Sequence, residues 1–543
     1  MVNEWDENYD FVVVGSGAGM SAALVAKTMG KRAVIIEKTD KVGGSTALSG
    51  GVMWVPNNPV MKRAGVHDTE ELARTYLDGC IADSAPRFSG ARKDAYLKEG
   101  PKAIEFFENL GMKFVHAEGY ACYHENEIPG GIARSRSVVA EIFDLNELGE
   151  WEPHLRRRPV FIPVHMHEVH HVSIMGRNLA SKIATMRVGL RLIRNKMGAK
   201  LAAMGLALQG RMLQLALKHK IDIWRESPVT DFVVSNGRVT GVVVQRNGKT
   251  QRIQAKSGVL VDAGGFSRNI DMRKKFGPQP ASIEWTNSNP GDTGEMIGKM
   301  VELGAGLGNM DQAVWTPVSL MPDGNRAIHP GDMSKPHMIM VNNKGERFVN
   351  ESTSYMSLGQ AMYRQEVPAW YLMDNRFRRY RWAGYPPGEP PAAWLESGYM
   401  KKGNTIEVLA QQCGIDAAAL KKTVERFNGF AKTGDDKDFN RGKSAYNRFW
   451  GDVTVKPNPN LGALEQAPFY AVRAYPGDVG TFGGVLVDEY SRVLRDDGSV
   501  IEGLYATGNA TASFTGASYP GAGASIGPSY VFGYVAARHA LSA

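Results

Sequence analysis

Tyr355 closes the polar run "GERFVNESTSYM", Gly345–Met356. Two further tyrosines stand in glycine-containing stretches: Tyr123 in "GYACYHENEIPGG", and Tyr519 in "TGASYPGAGASIG", which also carries Gly523. A phenol has an ordinary pKa of roughly 10, so it accepts a proton only where a neighbour stabilises its anion. A phenol O–H and a backbone N–H aimed together can polarise a carbonyl, each such donor being worth on the order of 10²–10³ in rate. One tyrosine alone usually packs. The set carries chemistry only if the fold gathers it around a redox group. Arg347–Asn350 reads as the end of a strand that delivers Tyr355 on a loop.

The elements for a redox group begin at the N-terminus. "FVVVGSGAGMSAALVAKTMGKRAVIIEK" reads as a β-α-β unit, with strand Phe11–Val14, helix Ser21–Met29 and strand Ala33–Ile36. Gly15 permits the tight turn, and Gly17 lets the backbone approach a pyrophosphate at the helix N-terminus. The third glycine of the fingerprint is replaced by Met20, with Gly19 beside it. Glu37 ends the second strand, where a carboxylate accepts from ribose hydroxyls, and Lys38 follows. "KVGGSTALSGGVMW" then brings Gly44, Ser45, Thr46, Ser49, Gly50 and Gly51, glycines and hydroxyls suited to lie along a pyrophosphate and a flavin. "ESPVTDFVV" and "GRVTGVVV" form a hairpin-like pair that includes Val229. "SGVLVDAGGFSRN" is a buried strand ending in Ala263-Gly264-Gly265. "GLYATGNATASF" gives a strand and a turn at Gly508-Asn509. "GAGASIGPSYVFGYVAARHA" leads through Ser525 and Ile526 into a helix, whose free N–H groups can face an anionic flavin. A lone GxGxxG says little. The set points to a dinucleotide, and to FAD over NAD.

These segments resemble the fumarate reductase/succinate dehydrogenase flavoprotein superfamily over nearly the whole chain. The resemblance implies an α/β fold: a Rossmann-type FAD-binding domain (1–311 and 481–543) interrupted by an α+β substrate-capping domain (312–480), with a basic amphipathic helical insertion at 173–204. It implies FAD held non-covalently by the residues named above, since no flavin-linking residue is recognisable. Fumarate reductases share "ERFVNE" but follow it with an arginine that protonates a dicarboxylate; Tyr355 or its neighbour stands there in this chain. The Tyr-Pro-Gly-x-Gly of 519–523 instead resembles the 3-ketosteroid dehydrogenases, as does the Gly-Tyr-x-x-Tyr…Pro-Gly-Gly stretch at Tyr123, with one extra residue. The 3-ketosteroid Δ1-dehydrogenases also carry a tyrosine in the loop of Tyr355. Membership would imply 1,2-desaturation of a 3-ketosteroid: Tyr355 takes the C2 proton with help from Tyr123, Tyr519 and Gly523 polarise the C3 carbonyl, and a hydride leaves C1 for flavin N5. A quinone or another acceptor would reoxidise the flavin. A 3-ketosteroid Δ4-(5α)-dehydrogenase, a fumarate-reductase-like enzyme and an electron-carrying membrane flavoprotein stay open as alternatives.

At 543 residues the chain exceeds one ordinary core, which implies two domains. Cys80, Cys122 and Cys413 form neither a disulfide framework nor a CxxC motif, which fits a reducing cytoplasm. The N-terminus is acidic and reads as a buried strand, not a signal. The net charge of +8 is local: 169–221 holds ten Lys/Arg and no Asp or Glu, so the remainder nets −2. Ser173–Met204 reads as one helix, with Ile174, Leu179, Ile183, Met186, Leu190, Ile193 and Met197 at helical spacing and basic residues between them. Such a helix suits an anionic membrane surface, here the inner face of the cell membrane, or else solvent or a subunit contact. His165, His167, His170 and His171 cluster with Glu168 in a structural role; neither a metal nor a nucleic acid is expected. In the capping region "HMIMVN" and "AWYLMD" read as strands. "TIEVLAQQCG" and "DAAALKKTVERFNGFAKTG" read as helices, the second capped by Asp416.

Overall fold

A computed structural model describes residues 5–158, 161–174 and 176–542. β1 (Glu7–Val14), α1 (Gly19–Thr28) and β2 (Ala33–Ile36) make the first β-α-β unit. β1 and β2 are parallel, with Phe11 opposite Ala33 and Val14 opposite Ile36. Phe11–Val14 of β1 and all of β2 are buried on both faces, which is why each is a continuous apolar run without alternation. α1 starts two residues before the expected Ser21. The Gly19 N–H donates to Asp262 Oδ2 at 2.6 Å, and a Cβ at Gly19 would lie 2.6 Å from Val13 Cγ1. Gly19 therefore provides the close helix–strand approach usually left to the fingerprint's third glycine, and Met20 is fully buried beside it.

A mostly helical stretch follows, with α2 (Glu70–Ile81), α3 (Leu179–Lys196) and α4 (Met204–Lys218). The sheet resumes with β3 (Asp222–Trp224), the hairpin β4 (Val229–Ser235) and β5 (Arg238–Arg246), and β6 (Lys249–Val261). The chain then builds a second, antiparallel sheet from β7 (Ala313–Leu320), β8 (Met338–Val341), β9 (Ala369–Met373) and β10 (Phe469–Thr481). Between these strands lie α5 (Tyr355–Tyr363), α6 (Ile406–Cys413) and α7 (Ala417–Thr433). Thr405 caps α6 by accepting the Val408 N–H, and Asp416 caps α7 by accepting the Ala419 N–H at 2.6 Å. β10 is the long central strand, pairing with β7 on one side and β9 on the other. Finally β11 (Val500–Ala506) returns to the first sheet beside β6, and α8 (Ile526–Ser542) packs on α1. The parallel core of that sheet runs β11-β6-β1-β2-β3, so the C-terminal ends of β1 and β6 are neighbours.

Two sequence expectations change. Arg347–Asn350 is not strand. The strand of this region is the earlier β8, which ends at a turn closed by Gly345 at φ +78°. The returning segment is held by a side chain instead: Arg347 pairs with Glu351 at 2.8 Å and with Asp436 at 3.0 Å. Tyr355 accordingly begins α5 and is not a loop tip.

The basic segment 173–204 is not one helix. α3 covers only Leu179–Lys196, because Gly176 (φ +76°) turns the chain and Asn178 caps the start by accepting the Ser181 N–H. Gly198 (φ +103°) ends it, and Leu201–Ala202 pairs with Phe143–Asp144. α3 buries Ser181, Ala184 and Val188, while Leu179 (74% exposed), Met186 (59%) and Met197 (82%) face out. The apolar row thus points away from the protein.

Candidate active site and cofactor cradle

Between the two sheets lies a cavity of about 940 Å³. Every cofactor residue expected from sequence lines it except Gly19, whose part is helix packing. Its floor is backbone. Gly15 has φ +107°, and a Cβ there would lie 2.1 Å from the Asp262 carbonyl oxygen; one at Gly508 (φ +65°) would lie 2.6 Å from Asp262 Oδ1. Only glycine fits either place. Glu37, at the end of β2, accepts from Ser16 Oγ at 2.5 Å and from the Thr39 N–H and hydroxyl at 3.0 and 2.9 Å. Ser45 Oγ donates to Asp292 Oδ2 at 2.7 Å and accepts the Asn289 N–H at 2.9 Å. Lys38 Nζ bonds Thr293 and Glu295, both at 2.8 Å.

Asp262 and Asp292 escaped the sequence reading. Asp262 ends the apolar run "VLVD" on β6, so its carboxyl stands at the N-terminus of α1. Burial pushes it up to about 8, with Asp292 and Glu37 adding to the rise and the Gly19 and Ala18 amides opposing it. Burial likewise pushes Asp292 up to about 7, against Ser45 and Lys38. Two carboxyls that favour the neutral form, a helix N-terminus and a glycine floor together suit a dianionic pyrophosphate. Glu37 and Val229 on the cavity wall suit the nucleoside end, and Ser525 and Ile526, where α8 begins, suit the far end. The residues present fit FAD.

Opposite the cradle, three distant segments bring their tyrosines together. The ring centroids of Tyr123 and Tyr355 are 5.5 Å apart, those of Tyr355 and Tyr519 5.4 Å, and those of Tyr123 and Tyr519 5.9 Å. Tyr355 and Tyr519 line the cavity with Gly523; Tyr123 stands behind them, 2% exposed. Burial raises the Tyr519 phenol, against the Tyr355 hydroxyl and the backbone of Ser525 and Gly523. Gly523 has φ +92°, its carbonyl accepts the Trp54 N–H at 3.2 Å, and a Cβ there would lie 2.3 Å from the Val52 oxygen. Burial also raises the Tyr355 phenol well above its ordinary value, with Tyr519 and Tyr120 adding to the rise. The expected hydrogen bond from Tyr123 to Tyr355 is not formed, for the Tyr123 hydroxyl has no hydrogen-bond partner. Sequence reading also missed Tyr446, whose ring centroid is 4.3 Å from that of Tyr123, and Tyr120, which lines the cavity. Nothing local marks Tyr446, in the short helix Ala445–Trp450.

The cavity's outer wall comes from the stretch before α3. Phe161, Ile162, Met166, Val172 and Ser173 line it, and His170 packs on Phe449 at 4.2 Å. Lys335 donates to Ser173 Oγ at 2.8 Å, and Arg177 pairs with Asp452, tying this stretch to the second sheet's segment.

The FAD binding domain family matches residues 10–526, and the chain belongs to that family: it is a flavoprotein, an FAD-dependent oxidoreductase. Its relatives narrow the class. It is 40% identical to a 3-oxosteroid 1-dehydrogenase of Mycolicibacterium smegmatis, over 98% of this chain and 97% of that one. It is 35% identical to a 4-oxocyclohex-2-ene-1-carboxylate 5-dehydrogenase of Sinomonas cyclohexanicum, over 97% and 93%. The crystal structure of the 3-ketosteroid Δ1-dehydrogenase of Sterolibacterium denitrificans in complex with 1,4-androstadiene-3,17-dione superposes with a TM-score of 0.92 at 35% identity, covering 99% of this chain and 100% of that one. Within the flavoprotein class the chain therefore belongs to the family of the 3-oxosteroid 1-dehydrogenases.

Proposed function

We propose that the protein introduces a 1,2-double bond into 3-ketosteroids, and that Tyr355, Tyr519, Gly523 and Tyr123 carry the reaction. The convergence of the three phenols, Tyr355 and Tyr519 at the wall of the cofactor cavity and Tyr123 behind them, is the observation that supports it. FAD, when bound, supplies the acceptor for the hydride that leaves C1. The Tyr519 O–H and Gly523 N–H bind the C3 carbonyl oxygen and withdraw charge from C2 as its proton leaves. Tyr355, once ionised to its phenolate, takes that proton from C2, and the C1–C2 double bond forms as both hydrogens depart. The buried Tyr355 phenol gives up its own proton reluctantly, so turnover rises with pH over the neutral and mildly alkaline range. FAD is held without a covalent bond, and a quinone or another acceptor takes its electrons. The 312–480 segment caps the substrate.

Anaerobic titration of the yellow protein tests this. Androst-4-ene-3,17-dione should bleach the flavin and yield the 1,4-diene. Conversion of a 5α-saturated 3-ketosteroid to the 4-ene alone would mark a Δ4-(5α)-dehydrogenase. Bleaching by 4-oxocyclohexanecarboxylate but by no steroid would mark a small-ring desaturase. No response to any ketone would leave an electron carrier.

The same reading places the protein peripherally on an anionic membrane. Leu179, Ile183, Met186, Leu190, Ile193 and Met197 follow one another at steps of four and three and form a single exposed face of α3. Lys182, Arg187, Arg194 and Lys196 are exposed on both flanks of that row, without ion-pair partners among the described residues. An apolar row between basic flanks suits a bilayer interface with anionic headgroups. No helix among the described residues is long and apolar enough to cross a membrane. The cavity wall at Phe161–Ser173 immediately precedes α3, so a lipophilic substrate would reach the site from the same side.

A further inference from the structure

The segments that carry Tyr123 and Tyr519 meet at one buried point, and helix α2 holds that point from behind. The Pro520 carbonyl, next in chain to Tyr519, accepts two hydrogen bonds: the Tyr123 N–H at 3.0 Å and the Tyr76 O–H at 2.7 Å. The Tyr76 oxygen in turn accepts the His124 N–H at 3.1 Å. One hydroxyl thus donates to the peptide beside Tyr519 and accepts from the peptide beside Tyr123.

Tyr76 is itself held rigidly. It is fully buried, with the Arg136 guanidinium 5.4 Å from its ring centroid and the Trp54 ring at 6.3 Å. Arg136 is locked by two bonds to Asp68, at 2.7 and 2.9 Å, and by the Gly130 carbonyl at 2.8 Å. The Tyr123 segment also lies hard against α2: a Cβ at Gly130 would sit 2.3 Å from the Leu72 carbonyl oxygen. The Tyr123 hydroxyl has no hydrogen-bond partner, so this backbone anchor and the packing of its ring on Tyr446 at 4.3 Å together decide where it stands.

We propose that Tyr76 is a positioning residue for the dehydrogenation: its hydroxyl fixes the Tyr123 ring relative to Tyr519, and it acts through that ring. This rests on the reading that those three tyrosines carry the chemistry. Misplacement of reacting groups by about 1 Å costs on the order of 10²-fold in rate, and Tyr76 touches no reacting atom.

The experiment compares Tyr76→Phe, Tyr123→Phe and the double variant as FAD-loaded enzymes. Tyr76→Phe should lower kcat about 10- to 100-fold, with FAD content and the steroid dissociation constant from flavin spectral shifts unchanged within about twofold. The double variant should be no slower than Tyr123→Phe alone within about threefold, because both changes act through one ring. Tyr371→Phe, which removes a buried hydroxyl from the second sheet, is the control for general loosening and should leave kcat unchanged. Wild-type kcat in Tyr76→Phe overturns the proposal. So do losses that multiply in the double variant, since Tyr76 would then act independently of Tyr123. Normal turnover in Tyr123→Phe, Tyr355→Phe and Tyr519→Phe would fell the catalytic reading first, and this proposal with it.

Discussion

Replacing Leu179, Met186, Leu190 and Ile193 together by serine tests the outward row of α3. These side chains are 74%, 59%, 56% and 54% exposed, so the free protein keeps most of their apolar surface in water. Full burial of such a side chain is worth about 1.5–3 kcal/mol. Scaled by these exposures, the four together offer roughly 4–7 kcal/mol. A helix lying in the headgroup plane immerses only its apolar face, so about half of that, roughly 2–4 kcal/mol, is a fair expectation for membrane affinity. At 1.4 kcal/mol per factor of ten, the variant should bind vesicles about 30-fold to 10³-fold more weakly. Each Lys or Arg on the flanks adds up to about 1 kcal/mol at an anionic surface, and salt screens that part. The assay is cosedimentation with vesicles, with and without phosphatidylserine, at low and physiological salt. The flavin spectrum and steroid turnover in detergent should not change, because none of the four residues lines the cavity. Undiminished binding by the variant, or equal binding to neutral and anionic vesicles at low salt, would refute the membrane role and leave α3 to meet solvent or a second protein.

Tyr355→Phe should reduce turnover by about 10²-fold or more while the steroid still perturbs the flavin spectrum at similar concentrations; stopped-flow bleaching measures both. Glu351→Gln should cost about 3–5 kcal/mol in thermal or urea unfolding, because it leaves Arg441 and Arg347 without their shared buried carboxylate. Burial opposes ionisation of Glu351, but Arg347 and Arg441 hold it down to about 2, so its contribution is present above the ordinary glutamate range and is lost as pH falls through about 2. The wild type should therefore lose stability over that acid window, and the glutamine variant should show a flatter acid limb. Asp262 has the opposite sign: its folded value is raised to about 8, so the folded chain loses stability as pH rises from the ordinary carboxylate range to about 8. Asp262→Asn should remove that slope. It should also make the pH dependence of FAD affinity shallower above about pH 8; in the wild type affinity falls as Asp292 ionises near pH 7 and more steeply once Asp262 ionises near pH 8, and fluorescence titration of apoprotein reads this directly.

The sequence alone determined what depends on near neighbours. Glycine at Gly15 and Gly17 and the short apolar strand runs on either side of α1 are all local, and the β-α-β unit follows from them. The cap at Asp416 was legible for the same reason: a cap is a bond across three residues. The motifs around Tyr123, Tyr355 and Tyr519 pointed to a family, but their spacing in the chain contains nothing of the 5.4–5.9 Å triangle that the rings form. Tertiary structure decided the rest. Arg347–Asn350 has strand composition but does not pair on the open edge of β8, where the Glu351 carboxylate instead accepts the Met340 N–H at 3.1 Å and Arg347 is drawn to Glu351 and Asp436. The amphipathic pattern of α3 located a face but could not say which side turns inward; the small side chains of Ser181 and Ala184 let the helix settle on that side, leaving the apolar row outside. Asp262, Asp292, Tyr446 and Tyr76 bear no sequence mark, because their surroundings come from residues dozens to hundreds of positions away. Burial and long-range hydrogen bonds are properties of the assembled chain, and only folding brings those partners within reach.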